Sequence, residues 1–186
     1  MTTRTPRLTE AVVLRPASQD DAGALARAYR RNRAHLGPWD PVRPESFYTP
    51  EGQAERMRAY EEEHEAGRTA RWYLWDEGTG EVAGGVSLNG ISLGPLRSAA
   101  IGYWIDAGQV GRGLAAAAVT AVCAVADGRL GLHRVEAGTL LDNTASQRVL
   151  AKCGFEEYGL ARDYLHINGA WRDHRLFQRI LNDRTP

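Results

Sequence analysis

The sequence predicts an α/β (α+β) fold: a mixed, mostly antiparallel sheet with one strand–helix–strand unit near its centre. Three observations support this class. β-branched and aromatic runs of strand length alternate with stretches of helical period. An alanine-rich apolar segment at 113–127 lies between two strand runs, 101–106 and 133–141, and strand–crossover–strand implies a parallel pair with a right-handed connection. The chain closes on a hairpin, YLHI at 164–167 and AWRDHRLFQRIL from 170, joined by Asn168-Gly169, a two-residue turn pair.

In chain order, AVVLR at 11–15 is a short strand, and SQDD at 18–21 supplies N-cap chemistry for a helix through Arg33. Ala22, Leu25, Ala26 and Tyr29 mark its buried face at i, i+3, i+4 and i+7. Four of the eight prolines fall between Leu36 and Pro50 with Trp39, Phe47 and Tyr48, which excludes a long regular element. Thr49-Pro50 opens a second helix to about Ala66, whose Glu61, Glu62, Glu63 and Glu65 form a solvated face. Runs at 70–75, 82–89 and 99–106 suit antiparallel strands, the first two joined by the turn-rich EGTGE at 77–81. A helix at 113–127 that is apolar nearly all round must be buried against a sheet. After the strand at 133–141, a short helix at 143–153 stops at Gly154.

The 186 residues suit one domain over 1–186. Lys and Arg number 23 and so do Asp and Glu, a balance that argues against coating nucleic acid or an anionic membrane. With 43% hydrophobic residues the chain can bury a core without disulfides, and no apolar run reaches membrane-spanning length. The N-terminus shows no secretory signal, so a cytoplasmic location is expected. Nothing has H-E-x-x-H or C-x-x-C form, so no metal is expected, and Cys123 and Cys153 read as small packed thiols.

The chemistry concentrates between Ile101 and Leu141. Gly111 and Gly113 strip side chains from the turn into the apolar helix, where free N–H groups and the helix dipole suit a phosphate. Gly111, Gly113 and Ala116 fit the spacing of a dinucleotide-binding loop. That class needs further strand–helix alternation, and the flanks here are hairpins. The stretch VGRGLA at 110–115, with DNTASQRVLAKCGFEEYG at 142–159, instead resembles the GNAT (GCN5-related N-acetyltransferase) family. The matched positions are Asn143, Ser146, Lys152, Gly154 and Phe155, and GLARDYLHINGAWRDH at 159–174 resembles the RimJ/RimL branch. Val110 stands where that family usually has Gln or Arg.

The resemblance implies a GNAT fold with a splayed central parallel pair, helices on both faces, acetyl-CoA as cosubstrate and an amine acceptor. The acceptor would be a protein N-terminus or a small-molecule amine. A GNAT-like module that binds acyl-CoA with little catalysis is the rival class, and a homodimer is one expected assembly. It also implies a coenzyme A site at Val110, Gly111, Arg112, Gly113, Leu114, Ala115, Asn143 and Ser146, with the N–H groups of Trp104 and Ile105 for the oxyanion. Leu150 falls where many members carry the tyrosine that protonates the departing thiolate, so that role moves elsewhere or passes to water; Ser146, on the same helical face, is expected to orient the sulfur or the incoming amine more than to donate a proton. Glu136 is the carboxylate expected as base. Some members hold a base glutamate nearer the asparagine, where this chain has Gly138. Trp39, Tyr48 and Tyr103 either line the acceptor side or pack the core.

Overall fold

A computed structural model describes residues 6–185. Among them, β1 (Val12–Pro16), β2 (Thr69–Asp76), β3 (Glu81–Ser92), β4 (Ser98–Ile105), β5 (Arg134–Leu140), β6 (Glu156–Ile167) and β7 (Ala170–Ile180) form one sheet. Its order is β1-β2-β3-β4-β5-β7-β6. Every neighbouring pair is antiparallel except β4 with β5. The closing hairpin takes the expected register, with His166 opposite Trp171 across the Asn168-Gly169 turn. Strand β6 begins at Glu156, eight residues before the expected run, because irregularities after Glu157 and Ala161 break its period and hide it from a pattern search.

Helices cover both faces. On one, α1 (Ala22–Arg31) and α3 (Pro50–Glu65) pack around Leu25, Ala28, Met57, Tyr73 and Val82. On the other, α4 (Leu114–Gly128) buries Leu114, Ala118, Val119, Val122 and Ala126 against Leu74, Leu88, Ile101 and Val135. Leu150 of α5 (Thr144–Lys152) joins that core. A helix built of alanine and valine lets the sheet approach closely, which is why its whole circumference is apolar. No helix among the described residues is long and apolar enough to cross a membrane.

The first helix is shorter than its period suggests. Asn32, wholly buried, ends α1 by turning its side-chain N–H groups to the Ala28 carbonyl (2.9 Å) and to Asp106 (2.7 Å). A separate turn, α2 (Arg33–Leu36), follows. Asp106 also accepts from Arg31 (2.8 Å) and the Gly108 N–H (2.9 Å), while the Ala107 N–H donates to the Asn32 side-chain oxygen (2.8 Å). Burial pushes the Asp106 carboxyl up, but the bonds from Asn32, Arg31 and Gly108 outweigh it and hold it below the usual carboxylate range. This knot ties the end of β4 to α1.

The central pair explains the site. Strands β4 and β5 are in register only at Ser98 with Arg134, Ala99 with Val135 and Ala100 with Glu136. Beyond these positions β4 stays with β3 as far as Gly84 opposite Ile105, and β5 stays with β7 as far as Leu140 opposite His174. Each half of the sheet follows its antiparallel partner, so the parallel pair opens into a V.

Candidate active site

A cleft of about 520 Å³ fills the V. Its walls are residues 101–105 of β4 and 137–140 of β5; the start of α4 and one face of α5 complete it. The N–H of Asp106 donates to the Ala83 carbonyl at 2.9 Å. Strand alternation then turns the Trp104 amide toward β3 as well, and turns the amides of Tyr103 and Ile105 into the gap. The expected oxyanion pair therefore reduces to one: Ile105 presents its N–H to the cleft, and Trp104 contributes its side chain to the lining. Gly85 makes room for that indole, since a Cβ there would lie 2.8 Å from its Nε1.

At the base of the V, Gly111 and Gly113 have φ of +78° and +76°, the left-handed region where glycine is favoured. Gly113 is the N-cap of α4 and offers no side-chain cap. The first helix bond here runs from the Ala117 N–H to the Gly113 carbonyl (3.0 Å), which leaves the amides of Leu114, Ala115 and Ala116 free. No atom lies within 4 Å of where a Cβ would stand on either glycine. Free donors, a positive helix end and open space fit a diphosphate. Val110, Gly111, Gly113, Leu114 and Ala115 all line the cleft. Arg112 does not: its guanidinium is exposed and turned back onto the Gln109 side chain.

On the facing helix, the Asn143 side-chain oxygen caps α5 by accepting from the Ser146 N–H (3.0 Å). Its amide nitrogen stays available at the cleft wall. Tyr103 reaches across from β4, its hydroxyl 2.8 Å from the Ser146 Oγ and 3.2 Å from the Ser146 carbonyl. Burial pushes the Tyr103 phenol up to about 12, so it stays a protonated donor at neutral pH. This pairing had no signal in the sequence, because Tyr103 and Ser146 meet only through the splay. Leu150 is wholly buried in the core and does not reach the cleft.

Two expected residues stand elsewhere. Glu136 lies where β4 and β5 are still paired, below the opening, and does not line the cleft. It is bound to Arg134 (2.5 Å) and to the Tyr158 hydroxyl (2.8 Å), which comes from the first irregularity of β6. Tyr48 lines a neighbouring pocket of about 190 Å³ with Tyr29 and Phe47. Trp39 lines the cleft and also a third hollow, of about 560 Å³, that shares Leu140 with it and continues past Asp142, Asn168 and Trp171. Trp39 is 37% exposed and Trp171 62%, so this hollow is an open surface groove. The hairpin is held beside it by the Asn168 N–H, which donates to the Asp40 carbonyl at 3.0 Å. His174, to which the sequence assigns no role, is buried at the cleft wall. Among the described residues no group of three or more metal-ligating side chains converges.

Known proteins share this design. The Acetyltransferase (GNAT) domain profile matches residues 11–156. The [ribosomal protein uS5]-alanine N-acetyltransferase of Escherichia coli (strain K12) is 35% identical over 178 residues, 96% of this chain and 92% of the relative. The crystal structure of ribosomal-protein-S5-alanine acetyltransferase from Vibrio fischeri superposes with a TM-score of 0.93 at 33% identity, covering 98% of this chain and all of that one. RimJ from Mycobacterium smegmatis, in complex with CoA-disulfide, gives a TM-score of 0.85 at 34% identity over 91% of this chain and 81% of that one. With its parallel pair parted over a glycine-led helix start, and with these likenesses running almost its full length, the chain belongs to the GNAT acetyltransferase family.

Proposed function

We propose that the chain transfers the acetyl group of acetyl-CoA to the α-amine of a protein N-terminus. The groove between Trp39 and Trp171 is the observation that carries the choice of acceptor: it meets the cleft at Leu140 and stays open to solvent, as an extended peptide requires. A small amine would call for a closed pocket. The relatives' named activity on ribosomal proteins supports the same choice.

The residues divide the work. Amides at the start of α4 hold the diphosphate, and the Asn143 amide nitrogen holds the pantetheine arm that runs up the V. The Ile105 N–H faces the thioester oxygen and stabilises the oxyanion as the amine attacks. Direct attack needs both reactants held together, which the V and the groove provide where they meet at Trp39 and Leu140. As the C–S bond breaks, Ser146 meets the thiolate, backed by the Tyr103 hydroxyl 2.8 Å away. This pair supplies a donor where Leu150 has none, which supports the enzyme reading over a mere acyl-CoA-binding module.

The test is steady-state CoA release from acetyl-CoA with a panel of amines. Peptides with a free N-terminus should turn over with kcat/KM at least tenfold above polyamines, aminoglycosides and an N-blocked peptide carrying lysine. Equal or better turnover of a small amine would overturn the acceptor assignment, and tight acetyl-CoA binding with no turnover on any amine would overturn the enzyme reading.

A further inference from the structure

We propose that His174 is the general base of the reaction, taking a proton from the acceptor nitrogen through Nε2; this rests on the reading of the chain as an N-acetyltransferase. His174 sits on β7 opposite Leu140 of β5 and Ala161 of β6, and its side chain is only 4% exposed. Its Nδ1 lies 2.9 Å from the Arg172 carbonyl. A carbonyl can only accept, so Nδ1 carries the proton and the neutral ring has its lone pair on Nε2. The edge-on contact with Tyr164, centroids 5.4 Å apart, holds the ring plane.

Gly138 borders the basic edge of the ring. A Cβ at 138 would stand 3.6 Å from the His174 Cδ2, the carbon bonded to Nε2. Opposite residues in antiparallel strands share a face, and the register therefore puts His174 on the face of Gly138 and Leu140, where the Trp39 groove meets the cleft.

Other titratable groups are less suited. Strand β5 offers none beside the ring, and β6 offers Tyr164. On β7, Asp173 accepts from the Asp163 N–H (2.9 Å). His35 lines the cleft but is exposed, Asp40 is paired with Arg43 at 3.7 Å, and Arg148 and Lys152 are cations.

The step balances as follows. The amine nitrogen bonds to the thioester carbon; Nε2 takes one N–H proton and becomes imidazolium. The C–S bond breaks, and the thiolate takes a proton from the Ser146–Tyr103 pair. Solvent carries the imidazolium proton back to that pair, leaving amide and thiol.

The experiment is the pH dependence of kcat for wild type and His174→Gln with an alanine-initiated peptide, alongside calorimetric acetyl-CoA affinity. General-base loss should lower kcat about 10²–10³-fold. Acetyl-CoA affinity should stay within about twofold, a prediction from the placement of His174 away from the α4 loop. The acid limb of the wild-type profile should disappear. With a peptide bearing an aminooxy group, whose nitrogen is unprotonated at neutral pH, the deficit should persist, because the attacking nitrogen must still give an N–H proton to Nε2, and the limb lost in the variant then belongs to the enzyme and not to the acceptor. An unchanged limb, or a limb that moves instead with His35→Gln or Asp40→Asn, overturns the proposal. Should the variant not fold, ¹⁵N spectra of wild-type imidazoles decide: the proton on Nδ1 and a bare Nε2 supports it, and the reverse tautomer overturns it. Failure of wild type to acetylate any peptide would instead count against the proposed function.

Discussion

Gly113→Ala isolates the contribution of backbone amides to coenzyme binding. The residue holds φ of +76°, where an L side chain costs about 1–2 kcal/mol. In a domain of this size each kcal/mol lowers Tm by about 2–4 °C, so the unliganded variant should melt about 2–8 °C lower. The new methyl meets no atom within 4 Å, so the cost is strain in the turn and not a clash. Relief of that strain tilts the first-turn amides, and each amide–phosphate bond lost removes about 1.5–3 kcal/mol. At 1.4 kcal/mol per decade, losing one bond weakens CoA binding roughly 10- to 150-fold. Calorimetry with CoA and with S-acetylpantetheine, which lacks the diphosphate, separates the effects. CoA affinity should fall by that factor, while S-acetylpantetheine affinity changes less than threefold. A variant that melts early yet binds CoA like wild type would refute the reasoning, because it would place the diphosphate away from α4.

Three further outcomes follow from the geometry. Tyr103→Phe removes the hydroxyl's contacts with the Ser146 Oγ and carbonyl and should lower kcat about tenfold, and Ser146→Ala should lower it at least as much. Since the two hydroxyls act as a unit, the double variant should be no worse than Ser146→Ala, and additive losses would show that they act separately. Asp106→Asn should cost about 2–3 kcal/mol at pH 7, chiefly through Asn32 and the Gly108 amide because Arg31 is partly exposed. A folded carboxyl held below its unfolded value contributes fully above about pH 5 and loses that contribution as pH falls through the folded value, so the gap in urea midpoint between wild type and variant should close in acid; a gap independent of pH would contradict the assignment. Trp171→Ala should raise KM for peptide acceptors several-fold with acetyl-CoA affinity unchanged, and an unaltered peptide KM would remove the groove from the acceptor path.

The fold was legible because its signals are local. The Asn168-Gly169 turn, the period of α1 and the all-round apolar α4 each state their own conformation. The opening of β4 from β5 is not local: it depends on β5 following β7 and on Asp106 being tied to Asn32, contacts that span 74 positions. For this reason Glu136 lies on the expected strand yet stands one residue short of the cleft lining, which begins at Ala137, held by a tyrosine from an irregular strand that no period reveals. The same dependence selects Ile105 over Trp104, since the β3 register sets which amides face the gap. The place of His174 at the cleft is not legible because only sheet order brings the last strand beside β5.

The central claim is that the parted strands hold the thioester between them while the start of α4 holds the diphosphate. A crystal structure with a non-hydrolysable acetyl-CoA analogue tests it most directly. The account predicts the carbonyl oxygen within hydrogen-bonding distance of the Ile105 N–H, the sulfur beside Ser146, and the diphosphate on the amides that follow Gly113. A carbonyl oxygen turned away from β4, or a diphosphate bound elsewhere, would contradict it.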